Sequence, residues 1–293
     1  MGLMFPCPSP AEPQALRWEM PPGQELRVRW SQTLRTEIRG PQTVGWTVRA
    51  AVEMRWRVDA VEPDGTLQMS QQFTRLILRT TPADGPEVGY DSASDEPPPI
   101  ELHEITRAVK PLLDRRFTVA MSPRGRFQAV QADAPSLATA HESAAEPWAS
   151  LLSPAGWERA FGQSLGRLPD SPVQPGDQWQ HRETLETPRG PLRVEHSYRY
   201  EGAVQVESGS LEVIRVVTEA TPDPPPGAFD PPQPSAQRQT GIYHFDAKAG
   251  FLAQSDLVQT RWSDVPNSEP PLQVTIQGRL STQIEPWPQA DRP

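Results

Sequence analysis

Five histidines are the chain's candidates for metal or proton chemistry: His103, His141, His181, His196 and His244. No two stand four residues apart, as zinc ligands on one helical face would, and there is no His-Glu-x-x-His. His196 and His244 fall in alternating segments and could meet across a sheet as a metal pair, but ordinary strand positions are the simpler reading. The only cysteine, Cys7, leaves neither a cysteine metal site nor an internal disulfide. There is no Gly-x-Ser-x-Gly elbow, no Gly-x-Gly-x-x-Gly and no Gly-Lys-Ser/Thr phosphate loop. The acids Asp91, Asp95, Glu96, Glu101 and Glu104 offer oxygens to calcium but lack the ligand spacing and central glycine of an EF-hand, and acids also suit a solvated loop that leads into a helix. No carboxylate pair is marked out for glycoside hydrolysis. The sequence therefore assigns no catalytic residue, no metal and no cofactor.

Aromatic and apolar residues remain. Of nine tryptophans, Trp30, Trp46 and Trp56 lie on apolar strand faces, where core packing is the first reading and contact with sugar or lipid the second. If a small apolar molecule binds, the candidate residues are Trp46, Met54, Trp56 and Phe73 on strands, with Trp157 and Phe161 on a helix. Such a site would work by burial of apolar surface, about 25 cal/mol per Å².

The elements that must position them follow from composition and period. Thirty-six prolines in 293 residues forbid long helices and force many turns. The net charge of -9 disfavours a nucleic-acid partner. No window approaches the roughly 18 apolar residues of a membrane span. Arginine far outnumbers lysine, which occurs only as Lys110 and Lys248, a bias typical of GC-rich coding.

From Val44 to Ala60 every second residue is apolar, the period of a long strand with one buried face. Glu62-Pro63-Asp64-Gly65 supplies a tight turn, and Thr66 to Thr80 returns with Leu67, Met69, Phe73 and Ile77. An earlier strand is expected at about 24–38. Residues 81–99 read as a loop. Leu102, Ile105, Val109 and Leu112 form one helical stripe. A short hairpin runs from Phe117 to Val130, turning at Ser122-Pro123-Arg124-Gly125, and a polar link covers 131–147. A second helix is expected over 154–167, with Ser153 as N-cap and Trp157, Phe161, Leu165 and Leu168 as its buried stripe. Strands follow at 178–187, 192–206, 210–220, 240–245, 251–260 and from 272 to about 284, with a Pro-rich loop at 221–237.

The halves repeat one another in order and pattern. Pro22-Gly23-Gln24-Glu25-Leu26 answers to Pro175-Gly176-Asp177-Gln178-Trp179, the hairpin 44–80 to 192–220, and the hairpin 117–130 to 243–258. The expected fold is mainly antiparallel β with two helices, a long curved sheet or open barrel built from two related units. Its parts are a disordered leader at 1–15, a first β unit at 16–147 with a helix near 100–113, a helical connector at 148–170, a second β unit at 171–285 and a tail at 286–293.

Several of these stretches together resemble a domain-of-unknown-function family of bacterial β-rich proteins, often secreted or lipid-anchored. They are the strand after Pro22-Gly23; Trp56-x-Val58 with Pro63-Asp64-Gly65; Tyr90-Asp91-Ser92; and Phe117-Thr118-Val119 through Gly125. Pro175-Gly176-Asp177-x-Trp179 and Phe245-Asp246 with Gly250 complete them, over roughly residues 16–284. The resemblance implies a periplasmic or extracellular protein and carries no catalytic residues. Cys7 before the polar run Pro8 to Pro13 has the look of a lipoprotein tether, but Pro6 stands where a small residue precedes a lipidated cysteine. No signal peptide is read in the chain, and the alternative compartment is cytoplasmic.

The expected function is a non-enzymatic envelope-type β protein that binds an apolar ligand or lipid on a concave sheet face. The alternatives are a protein-interaction or structural module, with an envelope protein engaged through sheet edges and Pro-rich loops, and a hydrolase with an unrecognised carboxylate site. Whether helices plug the concave face is left open by the sequence.

Overall fold

The computed structural model describes residues 12–113, 115–132, 157, 161–185, 191–207, 209–222, 237–265 and 272–288. Cys7, His141, most of the link at 131–147, much of the helix expected over 154–167 and most of the loop at 221–237 lie outside the described residues.

The described residues hold twelve strands. The first half contributes β1 (Glu25–Arg39), β2 (Val44–Val61), β3 (Leu67–Pro82), β4 (Val88–Asp91), β5 (Arg116–Met121) and β6 (Phe127–Ala132). The second contributes β7 (Gln178–Leu185), β8 (Leu192–Val206), β9 (Gly209–Pro222), β10 (Gln237–Asp246), β11 (Phe251–Val265) and β12 (Leu272–Pro286). All belong to one sheet of order β6-β5-β3-β2-β1-β12-β11-β10-β9-β8-β7, with β4 paired to β3. A continuous sheet is therefore formed, not two sandwiches. Every named pairing is antiparallel. Among the described residues no helix is long and apolar enough to cross a membrane.

The strand β4 corrects the loop expected over 81–99. Four residues among Pro, Asp and Gly give no readable alternation, yet tertiary partners hold them. Arg75 grips both carboxylate oxygens of Asp91, and the Leu76 N–H donates to Ser92 Oγ at 2.9 Å. Helix α1 (His103–Leu113) follows one 3-10 turn, Ile100–Leu102; the turn buries Leu102 and the helix buries Val109 and Leu112, leaving Ile105 partly exposed. Trp157 is helical, and a short helix α2 (Gln163–Leu165) carries Leu165 into the core.

One strap shows that the sheet is curled. Gln14 exchanges both backbone hydrogen bonds with Val173, and Leu16, Trp18 and Met20 are buried. The reading that placed residues up to 15 in a leader missed this pairing, because three apolar residues in alternation are too few to read as a strand. The Trp18 N–H donates to Pro123 O in the β5–β6 turn, and the next N–H, of Glu19, donates to Gly250 O in the β10–β11 turn. In the sheet, β5 and β10 are six strand spacings apart, about 29 Å if flat. Adjacent residues touch both, so the sheet wraps around the strap.

The two halves share geometry as well as order. The Gly23 N–H donates to Val58 O and the Val58 N–H to Gln24 O, at 2.7 and 2.9 Å. The Gly176 N–H donates to Tyr200 O and the Tyr200 N–H to Asp177 O, again at 2.7 and 2.9 Å. Bulges fall just after those partners, between Val58 and Ala60 and between Tyr200 and Gly202.

Gly250 has φ +74°, and a Cβ there would lie 1.8 Å from Glu19 O. Gly250→Ala should therefore cost more than Gly23→Ala, where φ is +85° but nothing lies within 4 Å. The expected penalties in urea unfolding are about 1–2 kcal/mol for Gly23→Ala, from the left-handed backbone alone, and at least about 1–3 kcal/mol more for Gly250→Ala, from the clash. Equal midpoints would show that the strap does not pack against the β10–β11 turn.

Candidate functional site

Strand period divides the sheet into two faces. The inner face of β1 carries Leu26, Val28, Trp30, Gln32, Leu34, Thr36 and Ile38, and register places them opposite Trp56, Met54, Val52, Ala50, Val48, Trp46 and Val44 of β2. The outer face carries most of the charges, matched in pairs such as Arg55 with Glu25, Arg29 with Glu285 and Arg279 with Asp256. The wider depressions, of about 250 and 480 Å³, lie on this outer face and are shallow.

The lower half of the inner face is filled. Trp157 is fully buried, with ring contacts to Phe73, Phe117, Phe127 and Phe161 at centroid distances of 4.8–6.0 Å. Phe161 also meets Trp30 edge-on at 6.1 Å. Leu16, Trp18, Met20, Leu165 and Leu168 belong to the same core cluster. Of the six candidate ligand residues, Met54, Trp56, Phe73, Trp157 and Phe161 are thus brought together as packed core, each at most 5% exposed. Trp46 shares their face but stands ten residues along β2 from Trp56, about 33 Å away, and is 39% exposed.

Above the plug the inner face continues without one among the described residues. Leu34 faces Val48, Ile38 faces Val44, and on the other flank Thr36 faces Ile276 and Ile38 faces Val274. Leu34, Ile38, Val48, Val274 and Ile276 are half-buried, and Val44 is 54% exposed. This apolar wall belongs mainly to β1, β2 and β12. Sequence reasoning noticed the alternation in β2 but did not name Leu34, Ile38, Val274 or Ile276 as ligand candidates. Their signal was the period continuing past the point where the plug's own apolar residues run out.

The inner face of the second half mixes buried apolar residues, among them Val194, Ile214 and Val216, with polar ones. His196 is buried, with Nδ1 hydrogen-bonded to Thr218 Oγ1 at 2.9 Å and Nε2 3.3 Å from Glu183 Oε1. His181 lies directly across from His196, with Nε2 3.8 Å from the other carboxylate oxygen. Trp179 stacks on Tyr198 at 5.3 Å, and its indole N–H donates to Arg167 O at 2.8 Å. A cavity of about 10 Å³ is lined by Gln163, Arg167, Glu183, Leu185, His196 and Tyr198, large enough for about one water. The pairing considered for His196 and His244 does not occur. His244 pairs with Val213 on β9 while His196 pairs with Thr218, and the odd offset puts them on opposite faces. Among the described residues no three His, Cys, Asp or Glu side chains could hold a metal ion. Asp91, considered for calcium, is instead the partner of Arg75.

The imidazoles of His181 and then His196 beside it hold the Glu183 carboxyl far below the usual carboxylate range, against the opposing effect of burial. A depressed carboxyl pKa contributes stability above the unfolded value, near 4.5, and that contribution is lost as pH falls below it. Glu183→Gln should therefore lower the melting temperature at pH 7 and converge on the parent protein as the pH is taken below about 4. A constant offset across that range would show that the carboxylate charge contributes nothing.

No family model matches the chain, and no curated protein matches it. Among solved structures it is similar to lipovitellin, in a structure concerned with lipid–protein interactions, at 12% identity and a TM-score of 0.48. That alignment covers 94% of this chain and 27% of the other, so the chain spans about a quarter of lipovitellin's length. A Bacteroides fragilis protein with a YmcC-like fold aligns at 11% identity and TM-score 0.26, over 90% of this chain and 97% of that one. A deletion mutant of TodX, a monoaromatic hydrocarbon channel, aligns at 7% and 0.23, over 91% of each.

Proposed function

We propose that the chain is a non-enzymatic binding protein that holds an apolar or lipid-like ligand against the inner face, above the plug. The observation that carries this reading is the change along the strands. Below Trp30 the apolar face is covered by the chain's own Trp157, Phe161 and strap residues. Above it, Leu34, Ile38, Val44, Trp46, Val48 and Ile276 continue the same face half-buried or exposed. Exposed apolar surface in a continuous stripe marks a binding face more often than scattered residues do. The site therefore lies higher on the strands than Met54, Trp56, Phe73, Trp157 and Phe161, and of the six original candidates it keeps Trp46.

Linkage supplies the test. A ligand that binds only the folded chain, at a hundred times its Kd, stabilises it by about 2.7 kcal/mol. Diphenylhexatriene, a rigid hydrocarbon that fluoresces only out of water, should bind with saturable stoichiometry and raise the melting temperature. Fluorescence that rises without saturating, and an unchanged melting temperature, would reject the reading.

A further inference from the structure

We propose that the open end of the inner face holds a single-chain amphiphile by an anionic head group, a carboxylate or phosphate gripped by Arg261 and Gln259 beside the apolar wall. This rests on the reading that an apolar ligand occupies that wall. Register carries one row of the inner face across four strands: Arg261 of β11 faces Ile276 of β12, Ile276 faces Thr36 of β1, and Thr36 faces Trp46 of β2. Every other arginine in the described strands stands on the outer face, and those strands carry no lysine. Among the described strand residues, the inner face therefore has one permanent cation, and it lies at the border of the wall. Three strand spacings, about 14 Å, separate it from Trp46.

Gly278 shapes the position beside it. A Cβ there would lie 2.6 Å from Gln259 Nε2 and 2.8 Å from Leu34 Cδ2, so the missing side chain lets the Gln259 amide lie flat along the sheet toward the wall. Gln259 Oε1 accepts from Gln237 Nε2 at 3.3 Å, which leaves Gln259 its own N–H pair to donate. Gln259 and Arg261 stand two residues apart on β11, on one face and about 7 Å from each other. A guanidinium has five N–H donors, so a partner within the chain does not exhaust it. Two adjacent donor groups, one of them a planar cation, match the oxygens of a carboxylate or phosphate. Glu183, the acid in the same row, stands four strands away on β7 and is engaged by His181 and His196. The place is clear of the packed core: Arg261 is six residues along β11 from the buried Ser255, about 20 Å. Gln259, Arg261 and Ile276 are all only half-buried. A chain lying along Leu34 and Val48 thus has donors for its head within reach and open to solvent.

The experiment compares cis-parinaric acid with its methyl ester, the same fluorescent chain with and without the charge, in low salt and well above the carboxylate titration range. The parent protein should bind the acid about tenfold more tightly, the worth of one hydrogen bond to a charged group. Arg261→Gln should bring the acid down to the affinity of the ester and leave the ester unchanged, while Arg279→Gln, on the outer face, should alter neither. Laurate and dodecyl phosphate should each displace the bound acid more effectively than dodecanol, and the better of the two tells a fatty acid from a phosphate-bearing lipid. Equal binding of acid and ester by the parent, a result that requires no variant to fold, overturns the head-group site, as does a preference that survives Arg261→Gln. Binding of neither probe instead overturns the apolar-ligand reading beneath it.

Discussion

Trp157→Ala is expected to be the most damaging single truncation in the molecule, costing about 3–5 kcal/mol. The side chain is fully buried and sits among Phe73, Phe117, Phe127 and Phe161. Its removal deletes a large apolar surface and leaves a cavity whose walls are strands of one continuous sheet, which cannot collapse inward without breaking ladder bonds. Phe73 and Phe117 pack edge to face at 5.6 Å and would each lose a neighbour. Urea unfolding followed by circular dichroism measures the loss. A cost below about 1 kcal/mol would mean that the plug is loosely seated, as a displaceable lid would be.

Leu34→Asp combined with Val48→Asp is expected to weaken ligand binding at least about tenfold while sparing the fold. The two residues face one another on β1 and β2 above the plug, and both are half-buried. Carboxylates placed there remain hydrated in the free protein, so stability should fall by only about 1 kcal/mol. In a complex the same carboxylates would be trapped against an apolar molecule, and affinity should fall by about tenfold or more. The paired readouts are diphenylhexatriene affinity and melting temperature. Unchanged affinity with a lower melting temperature would make this wall a structural surface only.

The two predictions separate what the sequence could and could not reveal. The unbroken alternation from Val44 to Ala60 made β2 legible, and Pro63-Asp64-Gly65 fixed its turn, since both signals are local. The pairing of β1 with β12 joins the two halves into one sheet, yet it links residues about 250 apart and leaves no local trace. Period two also does not distinguish a residue covered by the chain's own aromatic plug from one covered by a ligand. Met54 and Val48 carry the same signal, and only the position of Trp157 and Phe161 tells them apart. Ser255 and Thr282 are buried on the inner face, so β11 and β12 break the apolar alternation within the core itself. Parity across several strands requires register, which is why His196 with His244 looked feasible and His181 with His196 was missed.

The central claim is that the uncovered inner wall holds an apolar molecule. Native mass spectrometry of the full chain, purified without detergent from cells that make it and followed by organic extraction, tests it most directly. The predicted result is a one-to-one adduct of lipid-like mass on the parent protein, absent from the Leu34→Asp, Val48→Asp variant. A bare mass for both proteins, with no lipid in the extract, would contradict the account.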